Sequence, residues 1–395
     1  MKKAVASLAI LVIMALAFTS STFAASPGKI IEAPDLKILV DGKTVVCKDV
    51  PIILGDSTLL PLRELAVMLG VQNDDQHIIY EPSNKSVTIL KDNTKIVVYI
   101  GKFNAFVNDE PRTLDVIPVI YKHDIAYIPF KFVAEALGKK VIWDGPSKTI
   151  LLCDATKFKN VKGIMDKVAA EFKSVSKYKS DISISLDMKS GMISTKMGIN
   201  ANAEVDKTGK KMHMLMDMDM LGMKIATESY YADYASYTRD PYDGTWKKKV
   251  MLQPEYDKAF ASESSILLKS DDTFCARLDQ VDSTNADEIR LKGELIDNTL
   301  YESFLSQQDL GGDQSIIDSN AFDSFKVEIT IDKNTYLVNG IVLTMESKYS
   351  EDDVKTAISM TAEAEYSDYN GAFEVAVPGD VVNNAVETKL PTQLK

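Results

Sequence analysis

The residues most suggestive of chemistry carry sulfur. Between residues 212 and 220 the chain reads Met212-His-Met214-Leu-Met216-Asp-Met218-Asp-Met220, five thioethers at alternate positions. In an extended strand successive side chains point to opposite faces, so all five fall on one side. Met188, Met192, Met197 and Met223 lie close by in sequence. Three roles fit such a row. One is a sheet face packed solid on a neighbouring helix, since flexible thioethers fill irregular gaps. Another is an adaptable apolar cavity for a hydrophobic or lipid-like ligand. The third is Cu(I) held by soft thioethers with His213. His213 has the opposite parity and belongs to the other face, which argues against copper. Asp217 and Asp219 share that other face, where solubilising the sheet is favoured over holding a cation.

No catalytic constellation accompanies this row. The chain has three histidines, His77, His123 and His213, and three cysteines, Cys47, Cys153 and Cys275, all widely spaced. His77 and His123 sit in polar loops, where a solvated side chain is expected. A phosphate loop, a dinucleotide fingerprint, a Gly-x-Ser-x-Gly elbow and a His-Glu-x-x-His helix are all absent from the sequence. Adjacent acids such as Asp271-Asp272 and Glu351-Asp352-Asp353 read as solvated loop residues. The expectation is a non-enzymatic protein with no cofactor and no metal site. Cysteines odd in number and far apart imply no disulfide framework. Pairing of Cys47 with Cys153 stays open, and buried free thiols are preferred. With 45 Lys and Arg against 57 Asp and Glu, the net charge is −12. That balance excludes a nucleic-acid partner, which needs clustered cations to displace counterions from phosphates.

The elements that position these residues begin with an export signal over residues 1–24. Lys2 and Lys3 precede the apolar run Ala4–Phe18, and Thr22-Phe23-Ala24 fits small-residue cleavage after Ala24. The run is short of the roughly 20 apolar residues that a membrane span needs. Nothing after residue 25 is apolar for long enough, so no transmembrane segment is expected after cleavage. The expected localisation is secreted and cell-envelope associated.

The region from 25 to 154 is an internal repeat. Asp41–Ile53 followed by Leu59–Gly70 recurs as Asn108–Ile120 followed by Tyr127–Gly138. Pro61 and Pro129 are 68 residues apart, as are Gly70 and Gly138. Each proline opens a helix, where a missing N–H costs nothing. Leu62, Leu65, Ala66 and Leu69 form one apolar stripe, and Phe130, Val133, Ala134 and Leu137 form its counterpart. Each glycine then fits the left-handed position past a helix end. Two strands close each copy, Ile78–Tyr80 with Ser86–Leu90 and Val141–Asp144 with Thr149–Leu152. The expectation is two small helix-on-antiparallel-sheet repeats. This pattern of hairpin, leading proline, "VPLR-x-x-A-x-x-LG"-like helix and "W-D" strand resembles the copper amine oxidase N-terminal (stalk) domain, in tandem copies over about 36–153. Tyr80 stands where the tryptophan is expected in the first copy. The resemblance implies an attachment module of exported bacterial proteins, with the oxidase chemistry residing in another domain. The three histidines here do not supply that chemistry.

From residue 155 the pattern changes. Val161, Ile164, Met165, Val168, Phe172 and Val175 predict an amphipathic helix over 157–177. Strands are predicted at 183–188, 196–205, 211–224, 225–238, 288–295, 325–331, 336–347 and 356–366, with short helices at 258–269 and 302–308. Acidic residues outnumber basic ones by 40 to 28 over 155–395 but only by 17 to 15 over 25–154, so the acidic excess belongs to the second part. A helix, long strands, a Tyr-rich segment at 230–237, Gly244-Thr-Trp246-Lys, and the Asp332–Tyr336 turn together resemble lipoprotein-carrier-like half-barrel surface proteins of bacteria. That resemblance implies a curved antiparallel sheet with packed helices and an acyl chain or lipid on its concave face, although this chain lacks the lipidated cysteine usual there. The sequence thus predicts an α+β protein that is exported and non-catalytic. Its attachment module precedes a domain that binds a hydrophobic ligand or an envelope component, with Met212, Met214, Met216, Met218 and Met220 as the binding face. The alternative is a structural or protein-interaction module of the cell surface with no small-molecule ligand, and a copper-binding protein is less favoured.

Overall fold

A computed structural model describes residues 29–145, 147–257, 260, 270–295, 324–351 and 354–388. The expected signal peptide and the expected helix at 302–308 lie outside the described residues, as does nearly all of the one at 258–269. The chain is mostly β, 53%, with few helices, so the balance lies further toward strand than an α+β reading implies. It divides into two compact units, one formed by the residues up to Asp35 with Cys47–Val133, the other by Leu36–Val46 with Ala134–Lys395.

In chain order the first repeat copy follows β1 (Ile30–Glu32) and supplies β2 (Lys37–Val40), β3 (Lys43–Val45), β4 (Ile52–Leu54), β5 (Ser57–Pro61), α1 (Leu62–Met68), β6 (Ile78–Glu81) and β7 (Ser86–Lys91). A connecting strand, β8 (Thr94–Tyr99), leads to the second copy. That copy comprises β9 (Asn104–Val107), β10 (Glu110–Thr113), β11 (Val119–Tyr121), β12 (Ile125–Pro129), α2 (Phe130–Ala136), β13 (Lys139–Asp144) and β14 (Thr149–Asp154). Both helices are two turns long and bury the expected stripe except for half-buried Leu137, with Leu65, Ala66, Val133 and Ala134 fully enclosed. Gly70 at φ +84° and Gly138 at φ +76° take the left-handed conformation after them. Lys91 reaches back to donate a 2.8 Å hydrogen bond to the Leu69 carbonyl, satisfying an acceptor that the end of α1 leaves open.

The copies do not fold side by side. They exchange hairpins. Strands β5 and β12 pair antiparallel with Leu60 opposite Ile128, residues separated by the repeat spacing, so equivalent positions of the two copies meet in this pair. In the first unit the return strands of copy one, β6 and β7, share a sheet with the hairpin β9–β10 of copy two, in the order β10-β9-β8-β7-β6. In the second unit the return strands of copy two, β13 and β14, share a sheet with the hairpin β2–β3 of copy one. There β14 and β2 pair in parallel, because no counterpart of β8 lies between them.

The rest of the second unit is one helix and one long sheet. Helix α3 (Ala155–Ser174) starts at Asp154, whose carboxylate accepts 2.9 Å hydrogen bonds from the Thr156 and Lys157 amides and so caps the first turn. The strands are β15 (Lys177–Ser190), β16 (Ile193–Asp206), β17 (Lys211–Met220), β18 (Met223–Ala232), β19 (Ala235–Arg239) and β20 (Trp246–Val250). After α4 (Asp272–Cys275) come β21 (Leu278–Val281), β22 (Glu288–Glu294), β23 (Ser324–Asp332), β24 (Val338–Glu351) and β25 (Val354–Ser367). The chain closes through α5 (Gly379–Asn384) and β26 (Val386–Glu387). Two meanders, β15 to β20 and β21 to β25, join where β25 pairs with β15, and β26 adds in parallel to β20, giving a 12-stranded half-barrel.

Helix α3 explains the curl. Its residues Val161, Ile164, Met165 and Val168 pack with Leu291, Val327, Ile329 and Ile341 of β22–β24. Phe172, at the other end of the helix, packs with Tyr178, Val205 and Met212 of β15–β17. One helix touching strands from both halves of one sheet requires that sheet to wrap around it. Two predicted boundaries need correction. The predicted strands 211–224 and 225–238 are three, because the chain turns at Leu221-Gly222 and again at Asp233-Tyr234. Gly222 and Asp233 are ordinary turn residues, but Leu221 and the tyrosines around Asp233 continue the strand pattern and mask both breaks.

Candidate functional site

All five methionines of the row lie on β17. Met212 is buried, 7% exposed, beside Phe172 at the base of the sheet. Met214, Met216, Met218 and Met220 are half-buried, while Leu215, Asp217 and Asp219 between them are exposed. The alternation separates an inner and an outer face, with Met212 placed in the packed base and the other four beyond it.

Register extends the inner face across neighbouring strands. Met214, Met216, Met218 and Met220 stand opposite Ala203, Ala201, Ile199 and Met197 of β16. On the other side Met218 faces Ile225, and Met216 faces Thr227. Leu186 and Ile184 of β15 pair with Met197 and Ile199. Met360 and Ala362 of β25 stand opposite Leu186 and Ile184, and lead to Met345 and Leu343 of β24. Apart from Thr227, and from Ser229 opposite Met214, these rows of the surface are built from apolar side chains over six adjacent strands. Its base is closed by α3, and the residues from Met214 outward keep part of their surface free. Thioethers and isoleucines at that depth form a deformable greasy wall with no hydrogen-bonding preference.

The outer face of the same strands is different. His213 donates or accepts at 3.0 Å to Glu228 Oε1 through Nε2 and stacks on Tyr230 at 4.4 Å. The Tyr230 hydroxyl donates to the same carboxylate oxygen at 2.7 Å. Burial pushes the Glu228 carboxyl up, but the bonds from Tyr230 and His213 outweigh it and leave the group below the ordinary range. Burial, then Glu228 itself, raise the Tyr230 phenol well above its usual value. Trp246, Val377, Val381 and Ala385 complete this patch. His213 is therefore held away from the methionine sulfurs, on the far side of the sheet. His123 is exposed, and His77 is half-buried with Nδ1 2.7 Å from Asp74 Oδ1, so it is fixed in its loop rather than simply solvated.

Cys47, Cys153 and Cys275 are free thiols, and burial raises the Cys47 and Cys153 groups to about 11 and the Cys275 group to about 12, which keeps all three protonated and unreactive at neutral pH. Among the described residues no group of three or more His, Cys, Asp or Glu side chains converges to hold a metal ion. A cavity of about 200 Å³ lies between β2, β14, α3 and the segment after α4. Acids and bases line it in comparable number, and Lys157 is already paired with Asp279 at 3.0 Å. Beside it, Arg277 bonds Asp144 at 3.1 Å, both only 7% exposed. This buried pair uses the aspartate of the "W-D" strand for structure, a role its sequence context did not reveal. No helix among the described residues is long and apolar enough to cross a membrane.

Comparison with known proteins follows the same division. Residues 39–152 match the copper amine oxidase N-terminal domain. No curated protein matches the chain. Among solved structures, LprF from Mycobacterium bovis is 11% identical with a TM-score of 0.32, covering 56% of this chain and 97% of its own. The Mycobacterium tuberculosis lipoprotein LppX is 7% identical with a TM-score of 0.31, covering 55% and 99%. Similarities this distant carry no inference about the present chain. Residues 160–386, more than half the chain, match the family of unknown function DUF6612, and the protein belongs to that family.

Proposed function

We propose that this is an exported, non-catalytic envelope protein whose C-terminal domain holds a hydrophobic or lipid-like ligand on the inner face of its sheet. In this reading residues 1–24 are a signal peptide, 25–154 an attachment module and 155–395 the binding domain, with Met212–Met220 as the central wall. The observation that carries it is the burial gradient along β17, from Met212 packed on Phe172 to four further methionines that keep free surface. A solid core would bury the whole row, and a solvent-facing strand would not place apolar residues in register on β24, β25 and β15–β18. Each ligand methylene taken from water contributes about 0.8 kcal/mol, so an acyl chain gains affinity without any polar recognition. Met side chains then adapt to chain length and branching.

The test is native mass spectrometry of the full chain as purified, with displacement of a fluorescent fatty acid as the solution assay. Bound lipid, and saturable probe binding weakened at least about tenfold by Met216→Asp with Met218→Asp, are expected. No bound lipid and no probe binding by the wild-type protein would leave the structural role as the better account.

A further inference from the structure

The apolar inner face does not stop at the strand ends; it runs out onto hairpin tips. Two-residue turns join β15 to β16 through Gly191-Met192 and β17 to β18 through Leu221-Gly222. A third hairpin, β24–β25, ends beside the first, with Ser190 opposite Thr356 and the Gly191 amide donating to the Lys355 carbonyl at 3.1 Å. Met192 is fully exposed, Ile193 69%, Leu221 67%, Met223 57% and Val354 45%. Ile193, Met223 and Val354 share the parity of the inner face. Lys189, Lys196, Lys224 and Lys355 flank the same turns with the opposite parity and are exposed.

Leu221 is the telling residue. It adopts φ +55°, with Gly222 at +83°, in a turn whose first position favours Asn, Asp or Gly. The comparable turns at Asp41-Gly42, Asn108-Asp109 and Asp233-Tyr234 all open with Asp or Asn at φ near 50°. Leucine there is conformationally unfavourable, and the residue stays 67% exposed. A strained apolar residue held out in water contributes to something other than the stability of the fold.

We infer that this rim is a docking surface for a phospholipid membrane. The ladders of the first two hairpins close right up to their turns, at Ser190 opposite Ile193 and Met220 opposite Met223, so the tips can enter a headgroup layer with few backbone groups left bare. Apolar tips then sit at the acyl boundary while the lysine stems snorkel to phosphates. The collar carries both signs. Asp187 pairs with Lys196 at 3.1 Å, and Asp219 accepts from the Gly222 amide at 3.2 Å. That mixture suits a zwitterionic headgroup layer, and apolar insertion rather than net charge drives the contact.

Co-sedimentation of the full chain with phosphatidylcholine vesicles, with and without phosphatidylglycerol, tests it. Binding to both is expected, with little loss in high salt. Met192→Asp with Leu221→Asp should lower it by at least about tenfold, and Leu221→Asn should weaken it while melting temperature holds or rises. The fluorescent fatty-acid assay should be unchanged in these variants, so failure of this proposal is separable from failure of the ligand reading. Three results would overturn it: no vesicle binding, binding confined to anionic vesicles and abolished by salt, or undiminished binding by the Asp variant. Sedimentation velocity showing self-association that the Asp variant abolishes, without vesicle binding, would assign the rim to a second copy instead.

Discussion

The two ends of the strands β15–β18 share composition but not circumstance. At the base, Tyr178, Val205 and Met212 are sealed against Phe172. Toward the tips, Met214, Met216, Met218 and Met220 are half-buried and the turns carry exposed Met192 and Leu221. The same residue types therefore stabilise the fold at one end and add little to it at the other. Stability measurements can break that contrast. Phe172→Ala should cost about 3–5 kcal/mol by calorimetry or denaturant melting, since it empties the base. Replacing Arg277 with Met should cost a comparable 3–5 kcal/mol by stranding the Asp144 carboxylate in a site 7% exposed. Asp154→Ala, which uncaps α3, should cost about 1 kcal/mol. Met218→Ala should cost about 1 kcal/mol or less, and a loss as large as that at Phe172 would make the inner face a solid core.

Smaller effects sharpen the contrast on the outer face. Because the Glu228 carboxyl is depressed in the fold, its contribution is present above the ordinary glutamate range and fades as pH falls through the lower folded value. Glu228→Gln should therefore melt below wild type at neutral pH, with the gap closing as pH falls through and below the ordinary glutamate range. Leu221→Asn should shift melting least, upward by a degree or so.

What was legible in the sequence was what local periodicity controls. The 68-residue spacing, the apolar stripes of α1 and α2, the apolar face of α3 and the common face of the five methionines all rest on neighbours within a few residues. The separation of His213 from the sulfurs followed from parity alone. What escaped depends on distant partners or on turns that break composition rules. Nothing local to Lys37–Val45 says that it pairs with β14 rather than with its own copy. A lone glycine between apolar residues in Met-Leu-Gly-Met does not fix where the reversal falls, so the break is placed three residues late, after Lys224. The Asp144–Arg277 pair joins residues 133 positions apart, and an aspartate after a tryptophan reads as a motif letter until its cation is seen.

The exchanged hairpins constrain how the chain can be made. Strand β2 emerges early in synthesis, yet its partner Thr149–Leu152 follows more than a hundred residues later. Until then the segment Lys37–Val45 has an unsatisfied edge, and closing so long a loop is slow. The first copy therefore cannot complete its pairing ahead of the second, and a chain halted between the copies keeps that strand edge open.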